Sequence, residues 1–350
     1  MKIVYLCLNV NQITGGNRII FEHANRLSKR GHSVEIWSNT KPEELPFPCH
    51  VPIHHLINDQ LPSPSDIAII TDIGLTYAIF QKISKISAKK YFFLAQHDME
   101  LVAKLAGFTE IQELAKIFFK NPPFEYKIVA VSSWVQKQLQ ERYHRISFLV
   151  PNGVDNDIFH PAKPLINTDE PVVMMCFDGQ NWKGPNESFA AISIVRQTIK
   201  DCQIIMIGST FPKIGKFING VLEEISCFSW PATFFHRPKQ SDLAAIYSSA
   251  SVFVSSSWYE GFGLPGLEAM ACGVPVVTTD SGGVREYAIP DETAVVVPPK
   301  NPEALAEGIL RVLSNSSLRQ KLIQNGLKKV KEFSWDPIID KMEEIFIRSI

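Results

Sequence analysis

Ser257-Trp258-Tyr259-Glu260-Gly261-Phe262-Gly263-Leu264-Pro265-Gly266-Leu267-Glu268-Ala269-Met270-Ala271-Cys272-Gly273-Val274-Pro275-Val276-Val277 reads as turn, helix, turn and strand. Pro265 suits a first helical turn, where its missing N–H costs nothing. Gly273 ends the helix, and Pro275 prevents its continuation. Gly261 and Gly263 allow close approach to the backbone, just ahead of a helix start whose first N–H groups lack an internal partner. Such a start is an anion site. Two carboxylates flank it. Glu260 sits at the mouth. Glu268 is one turn beyond Leu264, on the same side and about 6 Å further along the axis. That is roughly the reach from a diphosphate to a ribose, whose hydroxyls a carboxylate can accept, as in dinucleotide folds. No His or Cys joins the two acids, so nothing favours a metal. The bland alternative is a glycine-rich turn with two solvated acids.

Glu260-Gly-Phe-Gly-Leu-Pro and Glu268-Ala-Met-Ala-Cys-Gly-Val-Pro-Val resemble the E-x7-E signature of the family-four retaining glycosyltransferases (glycosyl transferases group 1), which have the GT-B fold. A motif this long and ungapped is far more specific than a lone GxGxxG. The resemblance implies an α/β chain of two Rossmann-like, doubly wound domains facing each other across a cleft.

The bulk properties agree. A chain of 350 residues with 45% apolar content is long enough for two domains with cores. A net charge of −1 argues against a nucleic-acid partner bound through a basic face. Cys7, Cys49, Cys176, Cys202, Cys227 and Cys272 form no CxxC pair and read as reduced thiols of a cytosolic protein. The opening Met1–Asn9 is expected to be a buried strand, its apolar part being too short for a signal peptide. No apolar run approaches eighteen residues.

In the first half, Lys2–Leu8, a loop Asn9–Asn17 and a helix Arg18–Lys29 lead to a strand at Ser33–Trp37, a βαβ unit. The loop holds Gly15 and Gly16 but lacks the third glycine of a dinucleotide fingerprint, so a dehydrogenase is disfavoured. The resemblance gives Gly15 and Gly16 to the approach of donor and acceptor; a turn needing positive φ is the alternative. Strands are expected at Asp66–Asp72, Lys90–Ala95, Lys127–Val131 and Ile146–Val150, with helices over Thr76–Ser87 and, broken near Gly107, over Glu100–Lys120. His97 follows a strand's carboxyl end, where α/β sheets bind ligands. It matches a family histidine facing the sugar, with a buried structural histidine as the alternative. Asp98 either orients that imidazole or caps the next helix. Residues 1–150 carry 17 Lys and Arg against 13 Asp and Glu. Lys82, Lys85, Lys89 and Lys90 form either a membrane-facing set or a solvated helix face.

Pro151-Asn152-Gly153-Val154-Asp155 reads as the linker and resembles the family's segment at that place. The expected division is residues 1–150 for the acceptor domain, 151–334 for the nucleotide-sugar domain, and 335–350 for a helix crossing back to the first. Beyond the linker come Asp178-Gly179-Gln180-Asn181-Trp182-Lys183-Gly184 and a helix over Asn186–Ile199. Lys183 matches the family lysine that meets the donor diphosphate, where an ammonium would neutralise charge on the leaving group. The family usually has Arg directly after that glycine; Gln180 departs from this, with Arg237 as the candidate substitute. Gly208 and Ser209 end a strand at a sheet's carboxyl edge. Arg237 and Pro238 lie in the loop that frames the nucleotide base in the family. Ser281-Gly282-Gly283 resembles the family's Gly-Gly loop.

The expected reaction is transfer of a hexose-type sugar from a nucleotide-diphosphate sugar to a hydroxyl, with retention implied by the resemblance. Glu260, Lys183 and His97 are the expected catalytic residues. Gly15, Gly16, Gln180, Gly208, Ser209, Arg237, Pro238, Gly261, Phe262, Gly263, Leu264 and Glu268 are expected around the donor. Neither metal nor cofactor is expected beyond the donor. The acceptor is a glycan, a lipid-linked molecule or a small molecule, and the location is cytoplasmic, at or near the inner membrane face. An inactive sugar-nucleotide binder and a sugar-nucleotide epimerase are the rival readings.

Overall fold

The β-branched and aromatic runs of the sequence become strands of two parallel sheets. The computed structural model describes the chain except residues 57–60, 74–84, 123, 178, 209–215, 219–220 and 224–231. The first sheet comprises β1 (Lys2–Cys7), β2 (Ser33–Ser38), β3 (Ile53–His55), β4 (Ser65–Ile70), β5 (Ala88–Ala95), β6 (Lys127–Ala130) and β7 (Phe148–Leu149). Their order is β3-β2-β1-β4-β5-β6-β7, and all pairings are parallel. A parallel strand covered on both faces needs a continuous apolar run, and Ile3 to Leu6 are fully buried. Winding reverses between β1 and β4, so the switch point lies at their carboxyl ends.

The second sheet comprises β8 (Val172–Phe177), β9 (Gln203–Gly208), β12 (Ala232–His236), β13 (Val252–Ser255), β14 (Val276–Thr279) and β15 (Ala294–Val297), in the order β12-β9-β8-β13-β14-β15. It too is parallel throughout, with its switch point between β8 and β13. Its core joins Val173, Met175, Ile204, Met206, Val254 and Val277 to Ile192, Val195, Ile309 and Val312 of the covering helices. Burying each such side chain contributes about 1.5–3 kcal/mol. Between β9 and β12 the chain inserts an antiparallel hairpin, β10 (Lys216–Ile218) with β11 (Val221–Glu223), that was not expected.

The chain divides into two units: Met1–Gly153 with Trp335–Ile350, and Val154–Ser334. The division falls three residues beyond position 150. In unit 1 the last helix, Trp335–Ile347, buries Trp335, Ile338, Ile339, Met342 and Phe346. The Phe346 ring lies 4.9 Å from Phe92 of β5, and Glu343 pairs with Arg30 at 3.0 Å.

Two expectations need correction. Helix α1 spans Gly15–Lys29, so the glycine pair opens the helix instead of lying in the preceding loop. Thr14 sets that start: its hydroxyl accepts from the Asn17 N–H at 3.1 Å, as an N-cap does. Strand β3 was not anticipated, being three residues long and containing two histidines. The helix expected over 76–87 falls mostly outside the described residues.

Candidate active site

Because β8 and β13 are neighbours at the switch point, the loops leaving their carboxyl ends run side by side. The β8 loop passes exposed Gln180 and tightens into a 3-10 turn over Asn181–Lys183. Gly184 follows with φ 65°, and a Cβ there would lie 2.3 Å from the Ser256 carbonyl oxygen. Only glycine permits that contact. Ser256 Oγ then lies 2.9 Å and 2.7 Å from the Lys183 and Gly184 carbonyl oxygens and 2.6 Å from Ser188 Oγ. The Trp258 N–H donates to the Trp182 carbonyl at 2.7 Å. These bonds fasten the two loops together.

The fastening brings two predicted residues into contact. Lys183 Nζ donates to Glu260 Oε1 at 2.9 Å and Oε2 at 3.0 Å. Ser257 Oγ donates to the same Oε1 at 2.7 Å. Glu260 is fixed through its backbone as well: its N–H donates to the Ser281 carbonyl at 2.7 Å, and its carbonyl accepts from Gly283 N–H at 2.9 Å. The Gly-Gly loop thus buttresses Glu260. The side chains of Lys183 and Glu260 are 23% and 12% exposed, so solvent screens the pair less than it would a surface ion pair.

Helix α7 (Leu264–Ala271; helices are counted from α1 with 3-10 turns left out) starts directly beyond. Gly263 precedes it with φ 86° and has no side chain to cap it, so the Leu264 N–H can serve a ligand, whereas Pro265 has no N–H and that of Gly266 donates to the Gly263 carbonyl at 3.2 Å. The buried Phe262 ring packs against Tyr287 and Phe333, leaving its main chain for that purpose. Tyr287 OH donates to the Gly263 carbonyl at 2.5 Å. Glu268 lies one turn into α7, 7% exposed, and accepts from Tyr247 OH at 2.8 Å. Burial, helped by nearby Glu268, holds the Tyr247 phenol well above its ordinary value. Burial and the same carboxylate push the Cys272 thiol up to about 12.

Gly208 ends β9, and its carbonyl accepts from Arg237 N–H at 3.2 Å. Arg237 is exposed with φ 47°, and Pro238 is half-buried. In the order β12-β9-β8, β12 lies two spacings from β8, roughly 10 Å. Arg237 therefore stands at the end of β9, one strand further from β13 than β8 is. Ser209 lies outside the described residues.

Unit 1 carries its own carboxyl-edge cluster. A Cβ on Gly16 would meet the Gln96 side chain at 2.9 Å, which places the start of α1 against the loop after β5. Asn17 is buried there, donating to the Asn9 and Gln12 carbonyls at 2.7 Å and 2.9 Å. His97 is half-buried just past β5. Asp98 caps the next helix: it accepts from Leu101 N–H at 3.1 Å and pairs with Arg142 at 3.0 Å. Among the described residues, no group of three His, Cys, Asp or Glu could hold a metal ion, and no helix is long and apolar enough to cross a membrane.

The family described as glycosyl transferases group 1 matches residues 156–329, about half of the chain and nearly all of unit 2. Unit 2 is thus the part of the chain that matches the glycosyl transferases group 1. An uncharacterised glycosyltransferase of Methanocaldococcus jannaschii is 27% identical over 225 residues, covering 63% of this chain and 59% of the relative. The match therefore spans less than two thirds of that protein. Among solved structures, a sucrose-phosphate synthase from Thermosynechococcus elongatus superposes with a TM-score of 0.80 at 19% identity, covering 99% of this chain and 98% of that one. HepE of Anabaena, solved with UDP and glucose, gives 0.77 at 15% identity over the whole of both chains. The fold is the GT-B fold of these glycosyltransferases.

Several residues of this group 1 unit escaped the sequence reading. Ser257 was discoverable, being a hydroxyl three residues before Glu260 in the same turn. Ser256 adjoins Ser257 in the same loop, while Ser188, Tyr247 and Tyr287 reach the site from other elements, and nothing local in the sequence marks them.

Proposed function

We propose that the protein transfers a hexose from a nucleotide-diphosphate sugar to an acceptor hydroxyl, with retention at the anomeric carbon. The observation that supports this best is the Lys183–Glu260 pair, held between two switch-point loops at the start of α7 with Glu268 one turn further in. The diphosphate lies against the α7 start and draws on Lys183, the ribose meets Glu268, and Glu260 faces the sugar. In the reaction the bond from the anomeric carbon to the diphosphate oxygen breaks. A bond to the acceptor oxygen forms, and the acceptor's proton leaves with the diphosphate. Lys183 and the N–H groups around Gly263 and Leu264 stabilise the charge that grows on the departing group, where positioned charges are worth most. Gly208, Arg237 and Pro238 line the base. Retention follows from the family resemblance, as does the absence of a metal requirement.

His97, Gly15 and Gly16 are the acceptor-side residues of unit 1. The likeness to a structure solved with UDP and glucose puts UDP-sugars first among the donors to try. A lipid-linked acceptor at the inner membrane face draws on Lys85 and Lys90, since Lys89 is paired with Asp66 at 2.7 Å and Lys82 lies outside the described residues.

A thermal-shift panel with UDP, GDP, ADP, CMP and dTDP tests the donor site. A ligand at 100 times its dissociation constant adds about 2.7 kcal/mol, roughly 5–10 °C for a unit of this size. A shift with one nucleotide selects donors for turnover assays. No shift with any of them refutes the donor site and favours a relative whose Gln180 loop has lost it. Conversion of a sugar nucleotide without release of free nucleotide would identify an epimerase.

A further inference from the structure

We infer that Tyr247 is a positioning residue for ribose recognition, holding the Glu268 carboxylate in the orientation that meets the ribose hydroxyls. The inference rests on the donor reading above. A glutamate's terminal torsion is broad and roughly two-fold, so an unrestrained carboxylate turns easily. Accepting two hydroxyl hydrogen bonds requires one fixed plane. Tyr247 OH supplies the restraint, donating to Glu268 Oε2 at 2.8 Å.

The restraint is itself rigid. Tyr247 is 2% exposed. Its ring packs edge-on to Phe159 at 5.8 Å and tilted against Phe253 of β13 at 5.9 Å. Its hydroxyl also lies 3.7 Å from Cys176 Sγ near the end of β8. Tyr247 thus refers Glu268 to the two strands that bracket the switch point. The two residues sit on different helices, so the bond depends on the packing of the sheet and not on the local course of α7. Because the buried phenol keeps its proton, Tyr247 donates and the carboxylate accepts.

Tyr247→Phe removes the hydroxyl and keeps the ring. Calorimetric titration of the full chain with UDP, GDP, ADP, their 2′-deoxy counterparts and inorganic pyrophosphate separates the possibilities. The wild type should prefer the ribonucleotide. In Tyr247→Phe ribonucleotide affinity should fall about tenfold, in line with the loss of one hydrogen bond to a charged group. Preference over the 2′-deoxy form should shrink, and pyrophosphate affinity should stay as it was. With Glu268→Ala already present, Tyr247→Phe should add no further loss of that preference. A general structural role would lower all three affinities together. A wild-type preference for ribose retained in Tyr247→Phe overturns the inference. Binding without any ribose preference in the wild type overturns it too, while leaving the diphosphate site standing. If no nucleotide binds the wild type, the donor reading fails and takes this inference with it.

Discussion

Gly184→Ala is the most informative single change, because two separable costs meet at one carbon. The residue has φ 65°, in the left-handed region, where a side chain costs about 1–2 kcal/mol. The added methyl carbon would also lie 2.3 Å from the Ser256 carbonyl oxygen, against an ordinary contact of 3.4 Å or more, so the loops must part by about 1 Å. Such overpacking adds about 1–3 kcal/mol, for a total of about 2–5 kcal/mol. Gly273→Ala is the matched control. It has φ 75°, but its nearest neighbour would be Pro161 Cγ at 3.5 Å, an ordinary contact, so it incurs the backbone cost alone. At about 2–4 °C per kcal/mol, the midpoint should fall by about 2–8 °C for Gly273→Ala and by about 4–20 °C for Gly184→Ala. Parting the loops also separates Lys183 from Glu260. Nucleoside-diphosphate affinity, measured well below both midpoints, should therefore drop more than about tenfold in Gly184→Ala, since a 1 Å misplacement is costly in a built site. It should hold in Gly273→Ala. Equal melting losses would show that the Ser256 contact costs nothing. Unchanged affinity in Gly184→Ala would show that the fastened loops do not position the site.

The other expectations are narrower. Glu268→Ala should weaken nucleoside-diphosphate binding by about 1–3 kcal/mol in a calorimetric titration, and unchanged affinity would remove its ribose role. Lys183→Ala should lower turnover by about two orders of magnitude in an assay for released nucleotide; near-normal turnover would assign the charge to another group. Stability should depend on pH through His23, which is buried against Trp335, with neither ring nitrogen hydrogen-bonded among the described residues. Burial, with Arg26 nearby, lowers its pKa to about 3, against 6.5 when unfolded. Below pH 6.5 the unfolded chain binds a proton that the folded chain refuses, so its contribution to stability falls by about 1.4 kcal/mol per pH unit toward pH 3. Denaturant unfolding at pH 7 and pH 5.5 should show a loss that His23→Leu abolishes; an equal loss in the variant would place the titration elsewhere.

The sequence made the central layers of the fold legible because a buried parallel strand needs a continuous apolar run, as Lys2–Cys7 and Lys127–Ala130 show. It failed where a partner strand does the work. Ile53–His55 is half-buried and holds its place by pairing with β2. The helix start at Gly15 went unread because Thr14, not the apolar period, decides it. At the site, Glu260, the glycines and Glu268 were readable because one continuous turn-helix sets their spacing. Lys183 required a second motif 77 residues away. Tyr247 could not be found at all, because its only claim on the site is a hydroxyl delivered by tertiary packing.

The return of Trp335–Ile350 to the first unit bears on how the chain is made. Synthesis runs from the N-terminal side, so unit 1, begun before unit 2, is completed after it, since Ile339, Met342 and Phe346 of its core follow Ser334 in the sequence. Unit 2 has its whole sequence once Ser334 has been added. During translation the usual order of N-terminal domain first is thus reversed for completion. The nascent first sheet keeps the surface around Phe92 uncovered until the helix Trp335–Ile347 arrives, which makes that interval the one in which a stalled or shortened chain would be most exposed to aggregation.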